Sequence, residues 1–286
     1  MTDVALLQRS VINILRSGRQ RISQTRALLE ASAELLALLT LLAGDVGRYR
    51  AARAYGRTAW TCAEEADSNA ARALILIAQS KTARWEKEFA AAASLARKGV
   101  ELSPDGPQKV LLAVSEATAL KSLGDLNGAR HALVAADNAR DEMTFSGQDA
   151  TAWSCPRARQ ATYALQVHLG ARDPDAMLRA ANIADSAWAE GDAWVYGTWA
   201  QVRIGAALAH LLKDDPEGSA AELSSVFEIS PAFRVATISG RMKAIDRSLT
   251  HPRYRVSEAA KVLREQIHAF CSDSLDAKPR QTLEAL

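Results

Sequence analysis

Apolar residues along this chain recur every three or four positions, with polar residues between them. The segment 109–142 shows the pattern clearly, because Ala113, Ala117 and Leu120 form one apolar stripe and Ala129 and Leu133 begin a second. Such spacing places the apolar side chains on one face of an α-helix. No segment alternates apolar and polar residues in the manner of a half-buried strand. The pattern therefore predicts an all-α protein.

Signals for helix starts separate the apolar stripes at regular distances. Gly124-Asp125, Asp173-Pro174 and Asp215-Pro216 each place an aspartate where a helix N-cap is expected. In the last two pairs a proline follows at the first helical position, where its missing N–H is harmless. These signals predict short turns that join antiparallel helices.

The stripes and turns recur as five similar units, each with small residues where its two helices would meet. Periods of 30 to 50 residues indicate stacked helical pairs, and these small and apolar positions are those of a tetratricopeptide repeat. We therefore expect a right-handed α-solenoid of antiparallel helix pairs. The units span residues 33–66, 70–102, 109–142, 156–190 and 193–229.

The two ends of the chain differ from the repeated middle. A stack needs a cap, because a terminal repeat would otherwise expose its apolar face. The predicted organisation is a lead-in helix in residues 1–30, about five helical pairs in 31–229, a capping helical pair in 230–271 and a flexible tail in 272–286.

Composition agrees with a helical, water-soluble chain. Alanine makes up about a fifth of the residues, and Gly and Pro together only about 8%. The net charge of +2 gives no bulk attraction to nucleic acid or membrane. The most apolar run, Leu35–Ala43, is less than half as long as a bilayer span. Cys62, Cys155 and Cys271 lack CxxC spacing, which is typical of free thiols in a reducing cytosol. We expect a cytoplasmic location.

Motifs for catalysis and metal binding are missing from the sequence. The five histidines are scattered, and the chain contains no HExxH, phosphate-binding loop or GxGxxG motif. Cys155, beside Pro156, fits a helix start or a buried thiol better than a nucleophile, because no base is placed near it. The sequence thus predicts a protein that is not an enzyme and uses no metal or cofactor.

A basic cluster near the N-terminus has two interpretations. It is either a solvated helix face or a weak, salt-dependent contact with phosphates, and no recognition helix with its preceding turn is visible. We therefore expect no sequence-specific DNA binding by this chain alone. The cluster comprises Arg9, Arg16, Arg19, Arg21 and Arg26.

Two stretches resemble the tetratricopeptide-like sensor region of actinobacterial transcriptional regulators with a helix-turn-helix domain. One is Leu35–Ala63, with its leucine stripe and the Gly44-Asp45-Val46-Gly47 turn, and the other is Phe233–Arg241 followed by Pro252-Arg-Tyr-Arg255. The resemblance covers most of residues 30–271 and implies a regulatory sensor. No helix-turn-helix domain of the usual length precedes the repeats here.

The tetratricopeptide register indicates a candidate binding groove, because the first helix of each pair lines the concave face. Trp194, Thr198, Gln201 and Gly205 share the spacing of one helical face, so Trp194 could extend the groove beside the small Gly205, or it could pack in the core. The polar groove positions could equally be plain solvent contacts. The candidate ligand-binding residues are Lys81, Thr118, Lys121, His168, Trp194 and Gln201; Glu34, Ala158 and Lys213 share the inward register.

These features predict a non-catalytic regulator that senses a peptide or a small molecule in its groove to control transcription. An alternative is an adaptor that binds a segment of a partner protein, and a third is an enzyme of unrecognised type. A pocket closed by tryptophans would favour a small molecule, whereas an open basic channel would favour an extended peptide. No membrane contact is expected, and a homodimer is compatible with the sequence.

Overall fold

The computed structural model describes residues 2–143 and 151–274. These residues form thirteen α-helices and two short 3-10 helices, without a β-strand, which confirms the all-α class. The chain divides into two compact units, residues 1–156 and 157–286. Most of the predicted tail, from residue 275 onward, lies outside the described residues.

The first unit is a succession of packed helical pairs. Helices α2, α4 and α6 contact one another in order, and α3 and α5 each contact the helix before and the helix after. The helix α1 packs against α2, and α7 packs against α6. The helices are α1 (Thr2–Ser17), α2 (Ile22–Asp45), α3 (Tyr49–Glu65), α4 (Asn69–Trp85), α5 (Phe89–Leu102), α6 (Pro107–Ser122) and α7 (Leu126–Asp141).

The second unit is built around one central helix. Helix α10 packs against α8, α9, α11 and α12, and α13 packs against α11 and α12. Their shared core includes Leu165, Met177, Ile204 and Met242, all buried. The helices are α8 (Arg157–Gly170), α9 (Pro174–Ala189), α10 (Tyr196–Leu212), α11 (Pro216–Phe227), α12 (Ala236–Leu249) and α13 (Glu258–Ser272), with 3-10 turns at Pro231–Phe233 and Pro252–Tyr254.

Six of the connections between helices have the same construction. Three residues link the helices, the middle one is left-handed, and the N–H of the third bonds to a carbonyl five residues earlier, as from Asp125 to Leu120 at 3.0 Å. This arrangement satisfies carbonyls at the end of the first helix. The left-handed residues are Gly47, Asp67, Lys87, Gly124, Arg172 and Asp214.

The predicted aspartate N-caps are confirmed. Asp125, Asp173 and Asp215 each accept a hydrogen bond from the backbone N–H three residues later. Each carboxylate thereby satisfies one of the free N–H groups at the start of its helix.

The lead-in segment is not a single helix. The sequence predicts one helix through residue 30, whereas α1 ends at Ser17 and α2 begins at Ile22. Gly18 adopts a left-handed φ of 64°, and the Gln20 side chain donates to the carbonyl of Ile14. This local capping ends α1 before the apolar pattern does.

Helix α2 is long and apolar enough to cross a membrane by length and composition, with 24 residues and a mean hydropathy of 1.7 in its most apolar window. Half of this most apolar stretch of 18 residues is buried inside the protein. Its packing partners are α1, α3 and α4. The helix therefore has the environment of a core helix and is not a convincing membrane span.

Candidate functional site

A groove in the first unit runs between α3 and α5, with α4 as its floor. Two adjoining cavities, of about 270 and 420 Å³, make up this groove and share Arg57, Gln79 and Leu95. We call it the α4 groove. Its Glu86 end is also lined by Ala52, Ala83, Glu86 and Ala91 among others, and its Trp60 end by Trp60, Thr61, Leu76 and Lys98.

Small residues bring the walls and the floor of the groove close together. Ala52 and Ala83 are buried, so α3 and α4 approach closely. Gly56 lies under the Gln79 side chain, and a Cβ atom at position 56 would be only 3.0 Å from Gln79 Nε2. The absence of a side chain at Gly56 therefore leaves room for the Gln79 carboxamide in the floor.

The Gln79 carboxamide is available to a ligand. Within residues 2–143 and 151–274, no hydrogen bond ties this side chain to another group. Its neighbour on the floor, Thr82, is instead satisfied by the carbonyl of Ala78 at 2.9 Å. A carboxamide offers both N–H donors and a carbonyl acceptor, so Gln79 matches the alternating groups of an extended peptide backbone.

The two ends of the groove differ in charge. At the Glu86 end, Arg53 forms an ion pair with Glu86. At the Trp60 end, Lys98 Nζ lies 4.5 Å from the centroid of the Trp60 ring, and Arg57 has no ion pair with any described residue. The lining of this end contains no carboxylate. The Trp60 end therefore favours an anionic group beside an apolar one.

The predicted site residues of the first unit lie elsewhere. Lys81 follows Gln79 by two positions, about 200° around α4, and its charge acts on Asp45. Burial raises the pKa of Asp45, and Lys81 partly offsets this. Thr118 is only 1% exposed and donates to the carbonyl of Ser115 at 3.0 Å, so it does not face solvent as the groove register requires. Lys121 is half-buried on α6.

The other three predicted residues belong to the second unit. His168 is half-buried on α8. Gln201 donates its side-chain N–H to the carbonyl of Gly197 at 3.0 Å. None of the six predicted residues lines the α4 groove.

Trp194 is exposed, so it does not pack in the core. It also does not lie on the helical face that its spacing in the sequence suggests. Helix α10 begins at Tyr196, so Trp194 precedes it and does not belong to the face that Gln201 and Gly205 share. Trp194 is 61% exposed, and the centroid of its ring lies 6.2 Å from that of Trp199. The space beside Gly205 is filled by Leu165, because a Cβ there would be 2.8 Å from the leucine.

The residues that line the α4 groove were not found from the sequence, although a signal for them exists. Arg53, Arg57 and Trp60 are spaced as one face of a helix, and Gly56 within that stretch marks a close helix approach. The tetratricopeptide register directs attention to the first helices of the pairs. The groove instead uses the second helices, α3 and α5, as its walls.

No metal centre is found in the described part of the chain, where no three His, Cys, Asp or Glu side chains cluster. In comparison with known proteins, no family model and no curated protein matches this chain. The groove must therefore be interpreted from its own geometry.

Proposed function

We propose that this protein is a non-catalytic, tetratricopeptide-like adaptor that binds an extended segment of a partner protein in the α4 groove. The observation that supports it most is the Gln79 carboxamide, which has no partner among the described residues and forms the floor of an open groove. An extended segment presents its backbone groups for such a contact, as in other peptide-recognition modes.

The segment that best fits the Trp60 end is acidic. The Arg57 guanidinium can donate two parallel N–H bonds to a carboxylate, and Lys98 adds a second positive charge. Leu76, Leu95 and the Trp60 ring then offer a surface to an apolar side chain next to the acidic one. The lining of the Trp60 end supplies two cations but no helix N-terminus and no glycine-rich loop. It therefore suits a singly charged carboxylate better than a phosphate.

The repeated connectors and the stacking of α2, α4 and α6 support the tetratricopeptide-like arrangement, and a right-handed solenoid is part of this proposal. The regulatory role in transcription and the cytoplasmic location are also part of this proposal. They rest on the resemblance and on composition. The open groove favours a peptide over an enclosed small molecule, and Trp194, the best predicted contact for a small molecule, is largely exposed.

A selection from a phage-displayed library of random dodecapeptides on the immobilised protein tests the proposal. We expect the enriched peptides to share an aspartate or glutamate beside a bulky apolar residue. The double variant Arg57→Gln/Lys98→Gln, used for the same selection, should not enrich them.

Synthetic forms of an enriched peptide then identify the source of the carboxylate. If an amidated C-terminus leaves binding unchanged, the acidic side chain is the ligand group; if amidation abolishes binding, the C-terminal carboxylate is. A selection that enriches no peptide, or the same peptides on the double variant, contradicts the proposed site.

A further inference from the structure

Helix α1 has an apolar side that the first unit does not cover. Of its residues, Gln8 is the buried one, and its side chain donates to Ser32 Oγ on α2 at 2.7 Å. Leu6, Leu7 and Ile14 are about half exposed, at 54%, 57% and 47%. The attachment of α1 to α2 therefore leaves large hydrophobic side chains in solvent.

Two of these residues, Leu7 and Ile14, form a stripe together with Val11. Leu7, Val11 and Ile14 follow one another at spacings of four and three, which places them on one side of the helix. Val11 is half-buried and lies between the two exposed residues along the stripe. An exposed stripe of this kind on a helix is typical of a surface that pairs with another helix.

The charges at the two ends of α1 are opposite in sign. Asp3, exposed in the first turn, shares the side of Leu7, whereas exposed Arg19 lies in the link just after the helix. A two-fold axis beside Ser10 and Val11 would place Leu7 of one copy opposite Ile14 of the other. The same axis would bring Asp3 of each copy to the C-terminal end of the other α1, where Arg19 lies.

From this complementarity we infer that the α1 stripe is the docking surface for a second copy of this chain, with the two α1 helices antiparallel. A two-fold dimer uses the same surface on both copies, so the stripe must complement itself. The antiparallel order satisfies that condition in both apolar and charged positions. A parallel order would place Asp3 against Asp3 and Arg19 against Arg19, which like charges disfavour.

The contact is small. Two helices of this length form an interface at the weak end of the range, below roughly 1,200 Å². We therefore expect a monomer–dimer equilibrium that depends on protein concentration in the micromolar range.

Sedimentation equilibrium of the full chain from tens to hundreds of micromolar tests this inference without any peptide. Leu7→Glu should weaken dimerisation by at least about tenfold, because the charge would be buried twice per dimer. Leu123→Glu is the matched control, since Leu123 is an exposed leucine of the same unit outside α1. It should leave the equilibrium unchanged, and circular dichroism checks that both variants stay folded.

A charge exchange tests the antiparallel order even if Leu7→Glu unfolds α1. Asp3→Arg alone and Arg19→Asp alone should each weaken the dimer by about tenfold, and the double variant should restore it. A monomer at every concentration, or a dimer that survives the single charge reversals, would overturn the inference. Because no peptide is involved, its failure is distinct from failure of the proposed segment binding.

Discussion

The Gln79 carboxamide lies directly over the backbone of Gly56, so that a methyl group at position 56 would come within 3.0 Å of Nε2. This contact joins α3, which forms one wall of the groove, to α4, which forms its floor. It means that the position of the proposed ligand-binding amide depends on the absence of a side chain one helix away.

Gly56→Ala should separate binding from stability. Alanine is favoured over glycine in a helix by up to about 1 kcal/mol, and the Gln79 side chain can move aside because it is flexible. We expect the free energy of unfolding to stay the same or rise by up to about 1 kcal/mol, whereas affinity for an enriched peptide falls. Urea unfolding and fluorescence anisotropy measure the two quantities. Unchanged affinity would show that Gln79 is not a ligand group.

Gly99→Ala should have the opposite effect on stability. A Cβ at position 99 would be 2.4 Å from Leu112 Cδ2, and Leu112 is fully buried. Overpacking of this kind costs about 1 to 3 kcal/mol, which outweighs the gain in helix propensity. Gly240→Ala is the control, because nothing lies within 4 Å of a Cβ there. Urea unfolding should show a loss for the first variant and a small gain for the second.

Much of the fold follows from local sequence signals. Asp125, Asp173 and Asp215 were predictable as N-caps because a short side-chain oxygen satisfies the first N–H groups of a helix wherever it precedes one. The connector with Lys87 was not, since a left-handed residue other than glycine has no such composition signal. There the packing of the flanking helices fixes the backbone.

The candidate site depends on tertiary relationships that the helical period does not contain. Periodicity shows which residues of α4 are apolar, but not that Gln79 faces the space between α3 and α5 while Lys81 faces away. Trp194 illustrates the same limit. Its spacing to Gln201 fits one helical face, but α10 begins at Tyr196, after Trp194. Thr118 matched the register and is nevertheless buried.

Asp246 should make stability depend on pH through its contacts with α13. Partial burial raises the pKa of Asp246, but hydrogen bonds from Arg264 and His268 outweigh this and hold the pKa below its usual value. The ion pair therefore stabilises the folded state above the ordinary aspartate pKa near 3.9, and its contribution is lost as the pH falls through the lower, folded-state value.

Asp246→Asn should accordingly lower the free energy of unfolding by about 1 kcal/mol at neutral pH. Below about pH 4 the difference from the wild type should shrink, because the wild-type carboxylate becomes protonated as well. Urea unfolding of both proteins at several pH values measures it. A difference that stays constant down to low pH would show that the charge of Asp246 contributes nothing.

Trp194→Ala should change little in either property. The indole is mostly exposed, so its removal should cost within about 0.5 kcal/mol, and the residue does not line the α4 groove. Lys81→Ala and Lys121→Ala should likewise leave peptide affinity unchanged. Thermal unfolding and anisotropy check both expectations, and a loss of affinity in any of the three would place the binding site outside the α4 groove.

The most direct test of the α4 groove is a calorimetric titration of one enriched acidic peptide into three proteins: the wild type, Arg57→Gln and Arg130→Gln. The control residue Arg130 lies on α7 and does not line the groove, so both variants change the net charge equally. A charged hydrogen bond contributes about 1.5 to 3 kcal/mol. The account predicts that Arg57→Gln weakens binding by about 10- to 100-fold while Arg130→Gln binds like the wild type. Equal affinities for all three proteins, or an equal loss in both variants, would contradict it.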